Sequence, residues 1–180
     1  EKRNVFLGKT DKDRFLQSIT AFNTINPIGS LYELLFSKAE FGRPTSKNPL
    51  VNFIAYCLNP NHFHFLLEQV EDGGVSEFMK RLSGGYTKYF NIKRRRSGVL
   101  FQGKFKSKHI DSNEYLLHAS AYINLNNKVH GLSQEDCSSS WGEYISLVNN
   151  GLCQKSIVME QFNDVQEYKK FAEDSLRNIV

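Results

Sequence analysis

The feature that most constrains the fold of this chain is a short apolar segment followed directly by a segment with two histidines. Val51 to Leu58 is an apolar run of aromatic and branched residues, which predicts a β-strand. Residues 59–61 read Asn-Pro-Asn, a sequence typical of a tight turn. His62 to Val70 then predicts a second strand, antiparallel to the first. Since residues i and i+2 of a strand point to the same face, we expect the His62 and His64 imidazoles to lie side by side.

Helical periodicity predicts several helices around this hairpin. Near Tyr122, Asp111 is the predicted N-cap of a helix, with Glu114 as the partner of a capping box. His130-Gly131 is a stop signal for that region. The predicted helices are Asp11–Phe22, Leu31–Phe36, Ser76–Asn91, Asp111–Asn126 and Glu160–Ile179; the predicted loops are Phe41–Asn48, Lys93–Gly98 and Ser138–Trp141; Val99–Ile110 is predicted as one or two short strands, and Gly142–Val148 as a short segment. This order of elements predicts an α+β fold with an antiparallel sheet covered by helices.

Positive charge is concentrated in one segment, although the net charge of the chain is only +4. Residues 78–110 contain ten lysines and arginines and no acidic residue, whereas the remaining 147 residues carry 13 basic and 19 acidic side chains. A local excess of this kind attracts a polyanion such as DNA, although most charged runs are only solvated surface. We predict phosphate contacts from the basic side chains, with Lys104, Lys106 and Lys108 on one strand face, and base stacking from Tyr86. The pattern leaves open that Tyr86 is instead a core residue. The predicted DNA-binding residues are Lys80, Arg81, Arg94, Arg95, Arg96, Lys104, Lys106, Lys108 and Tyr86.

Two imidazoles on one strand face can bind one divalent ion. A His-x-His pair alone is weak evidence, because such pairs also occur as half-buried structural histidines. No further histidine or cysteine lies at local spacing, so a closed structural zinc site is not expected. The pair instead predicts an open site with at least one ligand from elsewhere in the chain and positions left for water or a phosphate oxygen.

Tyr122 and Asn126 are four residues apart, which places both on one face of the predicted helix. An amide oxygen is a suitable ligand for a hard ion such as Mg²⁺ or Mn²⁺. A tyrosine is a poor nucleophile at neutral pH, because its pKa is about 10, and it needs a nearby cation and a polarised phosphorus. Spacing alone leaves open that Tyr122 is only a core residue of the helix.

Taken together, these segments resemble one family. Residues 58–67, LNPNHFHFLL, resemble the "MPNHxHLLL" signature of the REP-associated tyrosine transposases, the single-tyrosine branch of the His-hydrophobic-His (HUH) endonucleases. Residues 97–107, SGVLFQGKFKS, are similar to "GxLFQxRFKS", and residues 122–132, YINLNNKVHGL, to "YIHLNPVRAGL". The helix around Tyr86 looks like the family helix ending in "YxxxFN", and Ser139-Ser140-Trp141 with Tyr144 resembles its "WSSY" end.

The resemblance implies a ferredoxin-like α+β domain over residues 1–150 with the HUH pair on a central strand, followed by a helical extension over 151–180. It implies that Tyr122 attacks a phosphate of single-stranded DNA near a palindromic hairpin, leaving a 5′-phosphotyrosine and a free 3′-hydroxyl. By position in the motif, His62, His64 and Asn126 hold Mg²⁺ or Mn²⁺. The expected protein is a cytoplasmic, nucleoid-associated bacterial monomer or homodimer with hairpin or single-stranded DNA as its partner and no membrane segment.

The chain also departs from the family pattern. The strand that usually precedes the position of Asn4-Val5-Phe6 is largely missing, so either the chain has lost a sheet strand or the start of the natural protein is absent. Asn124 stands in place of the motif histidine, and Asn127 stands in place of its proline. Three functions therefore stay open: a DNA nickase and strand transferase, a hairpin-DNA-binding protein without activity, and a metal hydrolase acting on a small phosphoester.

Overall fold

The computed structural model of the protein describes residues 3–29, 31, 48–133, 135–146 and 151–177. Its helices and strands follow the predicted order along the chain. They are α1 (Lys9–Phe22), β1 (Val51–Asn59), β2 (His62–Gln69), α2 (Gly74–Lys93), α3 (Asn113–Asn124), α4 (Asn126–Val129), β3 (Ser138–Ser139), α5 (Trp141–Ile145), α6 (Ser156–Met159) and α7 (Val165–Arg177). The predictions of a helix over Leu31–Phe36 and a loop over Phe41–Asn48 lie almost wholly outside the described residues.

The sheet is three-stranded and antiparallel, in the order β2-β1-β3. The predicted hairpin is confirmed: β1 and β2 flank a turn at Pro60 and Asn61. On the other side of β1, Cys57 pairs with Ser139 in antiparallel register. Because helices pack on this sheet, the fold is α+β, as predicted.

The position of β2 in the sheet differs from the prediction. Among the described residues β2 is an edge strand, so the histidine pair does not lie on a central strand. The segment from residue 3 to residue 8 forms no strand beside it. The amides of Val5 and Phe6 instead both donate to the Pro60 carbonyl at the hairpin turn, at 2.7 and 2.9 Å.

The chain divides into two compact units. The first consists of residues 1–6, 52–68 and 107–180 and contains the hairpin, α3 and α7. Its core includes Cys57 from β1, Leu66 from β2, Ala121 from α3 and Tyr168 from α7. The C-terminal helix, predicted as an extension, therefore contributes buried side chains to the unit that carries the histidine pair.

A buried polar network fixes α3, the helix that carries Tyr122. The Asn124 amide donates to the Tyr168 hydroxyl at 2.9 Å, and its oxygen accepts from the Ser140 hydroxyl at 2.5 Å. Ser140 in turn accepts from the Tyr56 amide of β1 at 2.9 Å. All of these side chains except Tyr56 are fully buried. Since buried polar groups are costly to leave unpaired, the network holds α3 in one position against the sheet and α7.

The second unit consists of residues 7–51 and 69–106. In this unit α1 packs against α2 around one buried carboxylate. Asp11 Oδ1 accepts from the Tyr89 hydroxyl at 2.9 Å and from Lys93 Nζ at 2.6 Å, and Oδ2 accepts from the Leu7 amide at 3.1 Å and from Arg94 at 3.3 Å. Burial alone would raise the pKa of Asp11, but the bonds from Lys93, Leu7 and Tyr89 hold it below its ordinary value. The carboxylate therefore stays charged and fastens the two helices together.

Three local predictions were wrong. Val99–Ile110, described throughout, forms no strand, so Lys104, Lys106 and Lys108 do not share a strand face. The predicted loop at Ser138–Ser139 forms the short strand β3. The N-cap of α3 is Ser112, whose hydroxyl accepts from the Tyr115 amide at 3.3 Å, and not Asp111. Among the described residues, no helix combines the length and apolar character needed to cross a membrane.

Candidate functional site

The hairpin positions the first two histidines of the candidate site, as the sequence predicts. His62 and His64 lie at the start of β2, directly after the turn, and their ring centroids are 5.0 Å apart. Both side chains are half-buried. One nitrogen of the His62 ring has a partner within the turn: Nδ1 lies 2.6 Å from Asn61 Oδ1. Because an amide oxygen only accepts, this contact assigns the ring proton to Nδ1 and leaves Nε2 with its lone pair.

A third histidine, His130, joins this pair from the far side of the sequence. Its ring centroid lies 5.2 Å from that of His62, and one ring nitrogen from each of His62, His64 and His130 lies within 4.8 Å of the others. From the sequence, His130 is predicted only as part of a helix stop. Its local spacing to the pair carries no signal, because the contact depends on how α3 and α4 fold back on the hairpin.

The helix end explains why His130 is held there. Gly131 has a φ of 63°, and the Leu132 amide donates to the Asn127 carbonyl while the Gly131 amide donates to that of Lys128. This is a Schellman motif with His130 as the C-cap, in which glycine supplies the left-handed residue. The predicted stop signal is thus confirmed, and it places an exposed imidazole beside His62.

Tyr122 lies on α3 next to the second histidine. The ring centroids of Tyr122 and His64 are 5.8 Å apart, at an interplanar angle of 75°. Tyr122 is half-buried, and it packs at the margin of the first unit's core. The site therefore brings a tyrosine to one side of a cluster of three imidazoles.

Asn126 reaches the same cluster through Asn59. Helix α3 ends at Asn124, so Asn126 begins the next short helix after an interruption at Leu125 and does not continue the predicted helix. Asn59 Nδ2 donates to Asn126 Oδ1 at 2.6 Å and lies 3.0 Å from His62 Nε2. Asn59 and Asn126 are both fully buried, and Asn126 Nδ2 has no hydrogen-bond partner among the described residues.

The protonation states suit cation binding. Burial, together with the charges of the neighbouring His62 and His130, lowers the pKa of His64 to about 4. His64 is therefore neutral at pH 7, with a lone pair available to a metal ion. Three imidazole nitrogens are a good donor set for a divalent transition-metal ion, so the residues present fit a divalent cation.

Comparison with known proteins relates the chain to one family of transposases. Residues 38–126 match the family model described as Transposase IS200 like. The matched segment contains His62, His64, Tyr122 and Asn126, and it ends before His130. This match supports the transposase family, and with the histidine cluster it suggests a divalent metal ion. No curated protein and no solved structure matches the chain.

The transposase match also covers the basic segment, residues 78–110, of which several side chains have partners inside the second unit. Arg81 donates to Glu77 at 2.8 Å and to the Thr24 carbonyl at 2.6 Å, Arg94 binds Asp11, and Arg96 donates to Asn91 at 2.6 Å. The prediction that Tyr86 stacks on DNA bases was wrong. Its ring is 0% exposed and meets Phe15 edge-on at 4.9 Å, so Tyr86 is a core residue.

The remaining cations of the basic segment are open to solvent. Lys80, Arg95, Lys104 and Lys106 are exposed. In the second unit Lys88, Arg95 and Arg96 line an open groove of about 670 Å³ along α2 and the loop that follows it. In the first unit Lys108 is exposed, with its ammonium 4.5 Å from the centroid of the Tyr115 ring.

Proposed function

We propose that the protein is a metal-dependent, single-tyrosine DNA nickase and strand transferase, a transposase that acts on single-stranded DNA near palindromic hairpins. The observation that carries the proposal is the contact of Tyr122 with His64, at 5.8 Å between ring centroids, inside a cluster of three histidines. This contact places Tyr122 beside a candidate cation site, which is the position that a tyrosine nucleophile requires. The family match and the exposed cations point to DNA as the partner.

In the proposed reaction the Tyr122 hydroxyl oxygen attacks a backbone phosphorus. The oxygen–phosphorus bond of a 5′-phosphotyrosine forms, and the bond from phosphorus to the 3′ oxygen breaks. The electron pair leaves with the 3′ oxygen, which takes up a proton, while the phenolic proton is released. Attack by a 3′-hydroxyl reverses the step and rejoins the strand.

The residues of the site have separate roles in this chemistry. His62 and His64 would hold the divalent cation, predicted as Mg²⁺ or Mn²⁺. The resemblance predicts Asn126 as the third ligand, and the histidine cluster offers His130 as the alternative. The cation supplies charge neutralisation and polarisation at the phosphate. The Tyr122 ring lies 5.8 Å from the His64 ring, so the proposal is that a phosphate held at the cluster is within reach of the phenol. The buried network of Asn124, Ser140 and Tyr168 keeps α3 from shifting during the attack.

The basic segment is proposed to bind the DNA backbone. Lys80, Arg95, Lys104, Lys106 and Lys108 are exposed and suited to phosphate contacts, whereas Arg81, Arg94 and Arg96 also serve contacts within the protein. The groove along α2, with Lys88 and Arg95, offers a concave surface to the same backbone. Such contacts carry affinity with little sequence information.

The test is covalent capture of the DNA. The protein is incubated with 5′- and 3′-labelled single-stranded hairpin DNA and Mn²⁺, and the products are separated on a denaturing gel. We expect an adduct that carries only the label on the 3′ side of the cut, and its loss in Tyr122→Phe and in chelator. Tyr115→Phe, on the same helix, is the matched control and should keep the adduct.

The other outcomes identify the alternatives. Cleaved DNA without an adduct would indicate a metal hydrolase that uses water. Binding of the hairpin with neither cleavage nor adduct would indicate a DNA-binding protein of the same fold. The absence of a strand beside β2 among the described residues is the observation that keeps this second alternative open.

A further inference from the structure

We infer that His130 is the third ligand of the cation site, in place of Asn126, and that the resulting three-imidazole site prefers Zn²⁺, Co²⁺ and Ni²⁺ over Mg²⁺. The inference rests on the proposed function for the role of the cation. The ligand set itself is argued from the packing of β2, α3 and α4.

The donor atoms of the three histidines lie close together. One nitrogen from each of His62, His64 and His130 lies within 4.8 Å of the other two. Two nitrogens bound to one ion lie about 3 Å apart, because each metal–nitrogen distance is about 2.1 Å. The proposal therefore requires the ring nitrogens to move closer together when the ion binds. His130 is exposed, so its ring turns without opening the core.

The Asn126 side chain already has another hydrogen-bond partner. Its Oδ1, the only atom of the side chain that binds a cation, accepts the 2.6 Å bond from Asn59 Nδ2. Asn59 is fixed in turn, because its Oδ1 lies 3.4 Å from the Cys57 thiol, which donates to it. Metal binding at His62 Nε2 already removes one partner of the buried Asn59 N–H groups, so moving Asn126 Oδ1 onto the metal as well would leave both of them unpaired. The other Asn126 amide atom is a buried nitrogen, a donor that binds no cation.

Asn126 therefore acts as a positioning residue. It holds Asn59, and Asn59 Nδ2 lies 3.0 Å from His62 Nε2 while Asn61 binds the opposite ring nitrogen. When Nε2 binds a metal, Asn59 gives up one of its two N–H contacts and keeps the bond to Asn126. The Nδ1 contact with Asn61 is the kind of outer hydrogen bond that orients a metal-binding histidine.

The type of ligand atom also decides which metal the site prefers. Mg²⁺ prefers oxygen ligands, whereas imidazole nitrogen suits Zn²⁺, Co²⁺, Ni²⁺ and Cu²⁺. The cluster consists of three histidines and includes no carboxylate among the described residues. Three protein ligands leave at least one coordination position for a phosphate oxygen, which keeps the site compatible with phosphotransfer. Of the two predicted ions, Mn²⁺ should therefore bind better than Mg²⁺.

The test measures metal binding directly. Untagged, metal-free protein is titrated with Co²⁺, followed by its visible absorption, and with Zn²⁺, Mn²⁺ and Mg²⁺ by calorimetry. We expect His130→Ala to weaken Co²⁺ and Zn²⁺ binding by about tenfold or more, since even outer-shell changes cost that much. His109→Ala is the matched control, because His109 is exposed and lies outside the cluster; it should leave binding unchanged. Mg²⁺ should bind more weakly than any of the other three ions.

A second variant separates a ligand from a positioning residue. Asn126→Ala, checked for folding by circular dichroism, should lower Co²⁺ affinity while keeping the absorption bands of the bound ion, because the ligand set is unchanged. His130→Ala should change those bands. The inference is overturned if His130→Ala binds Co²⁺ as tightly as His109→Ala does, if Asn126→Ala alone changes the bands, or if Mg²⁺ binds as tightly as Zn²⁺.

The outcome is separable from that of the DNA assay. Loss of Co²⁺ binding in His130→Ala without any phosphotyrosine adduct in the parent protein would support the ligand set and refute the nickase. An adduct that forms equally well in His130→Ala with Mg²⁺ would support the nickase and refute the ligand set.

Discussion

Two adjacent glycines in α2 give a sharp test of the packing in the second unit. A Cβ built on Gly85 would lie 2.6 Å from Cζ of Phe22, with Cε2 of the same ring nearer still, whereas a Cβ on Gly84 meets nothing within 4 Å. Both positions lie inside the same helix, so both gain helix propensity on replacement by alanine. Only Gly85 is needed for the close approach of α1 and α2.

The expected changes in the free energy of unfolding have opposite signs. Gly84→Ala should stabilise the protein by about 0.5–1 kcal/mol, the usual glycine-to-alanine gain in a helix interior. Gly85→Ala should gain the same amount but lose about 1–3 kcal/mol to overpacking, because Phe22 is buried and cannot swing into solvent. The two variants should therefore differ by roughly 1–3 kcal/mol.

Urea unfolding, followed by tyrosine fluorescence and circular dichroism, measures this difference. Each variant is compared with the parent protein at equal m value, so that a change in midpoint reports stability. Equal stability of Gly84→Ala and Gly85→Ala would refute the assigned contact between α1 and α2. A gain in stability at Gly85 would refute it more strongly.

Three further predictions concern the buried carboxylate, the network behind α3 and the basic segment. Asp11→Asn should destabilise the protein by about 1–3 kcal/mol, because Tyr89, Lys93 and Arg94 lose a charged acceptor that is itself buried. The folded pKa of Asp11 lies below its ordinary 3.8, so its stabilisation is present above that pH and is lost as the pH falls below it; the variant should show less acid-induced loss between pH 5 and 2, measured by thermal unfolding. Tyr168→Phe should cost about 1–3 kcal/mol in urea unfolding, since the buried Asn124 amide loses its acceptor, and an unchanged midpoint would contradict the network. Replacing Lys104 and Lys106 by alanine should reduce the slope of the logarithm of the single-stranded DNA binding constant against the logarithm of salt concentration by about 1.4, at about 0.7 per lost phosphate contact. Replacing Lys169 and Lys170 of α7 by alanine is the control and should leave this slope unchanged.

The sequence predicts those parts of the fold that depend on local pattern. The run of Val51–Leu58, the Asn-Pro-Asn turn and the alternation after His62 are sufficient for the hairpin, and periodicity is sufficient for α1, α2 and α7. The Gly131 stop is also a local signal, because only the residue after the helix must adopt a positive φ. The N-cap shifted by one residue from Asp111 to Ser112, since both are good caps and the pattern does not separate them.

The parts that the sequence does not predict depend on contacts between distant residues. Tyr86 is an aromatic residue within the basic segment, which predicts base stacking, but packing against Phe15 buries it. Lys104 and Lys106 alternate as in a strand, yet no described partner strand exists for that segment. His130 has no local spacing to His62, and only the folding of α4 against the hairpin brings the two together. The hydrogen bond between Asn59 and Asn126 likewise joins residues that are distant in the sequence, and no local pattern predicts it.

The most direct measurement of the central claim is the identity of the DNA-linked residue. After reaction with hairpin DNA and Mn²⁺, nuclease and protease digestion leaves a nucleotide on one peptide, which mass spectrometry locates among the eight tyrosines of the chain. We expect a phosphonucleotide on Tyr122 alone, lost when metal is removed. A phosphonucleotide on any other tyrosine, or cleaved DNA with every tyrosine unmodified, would contradict it.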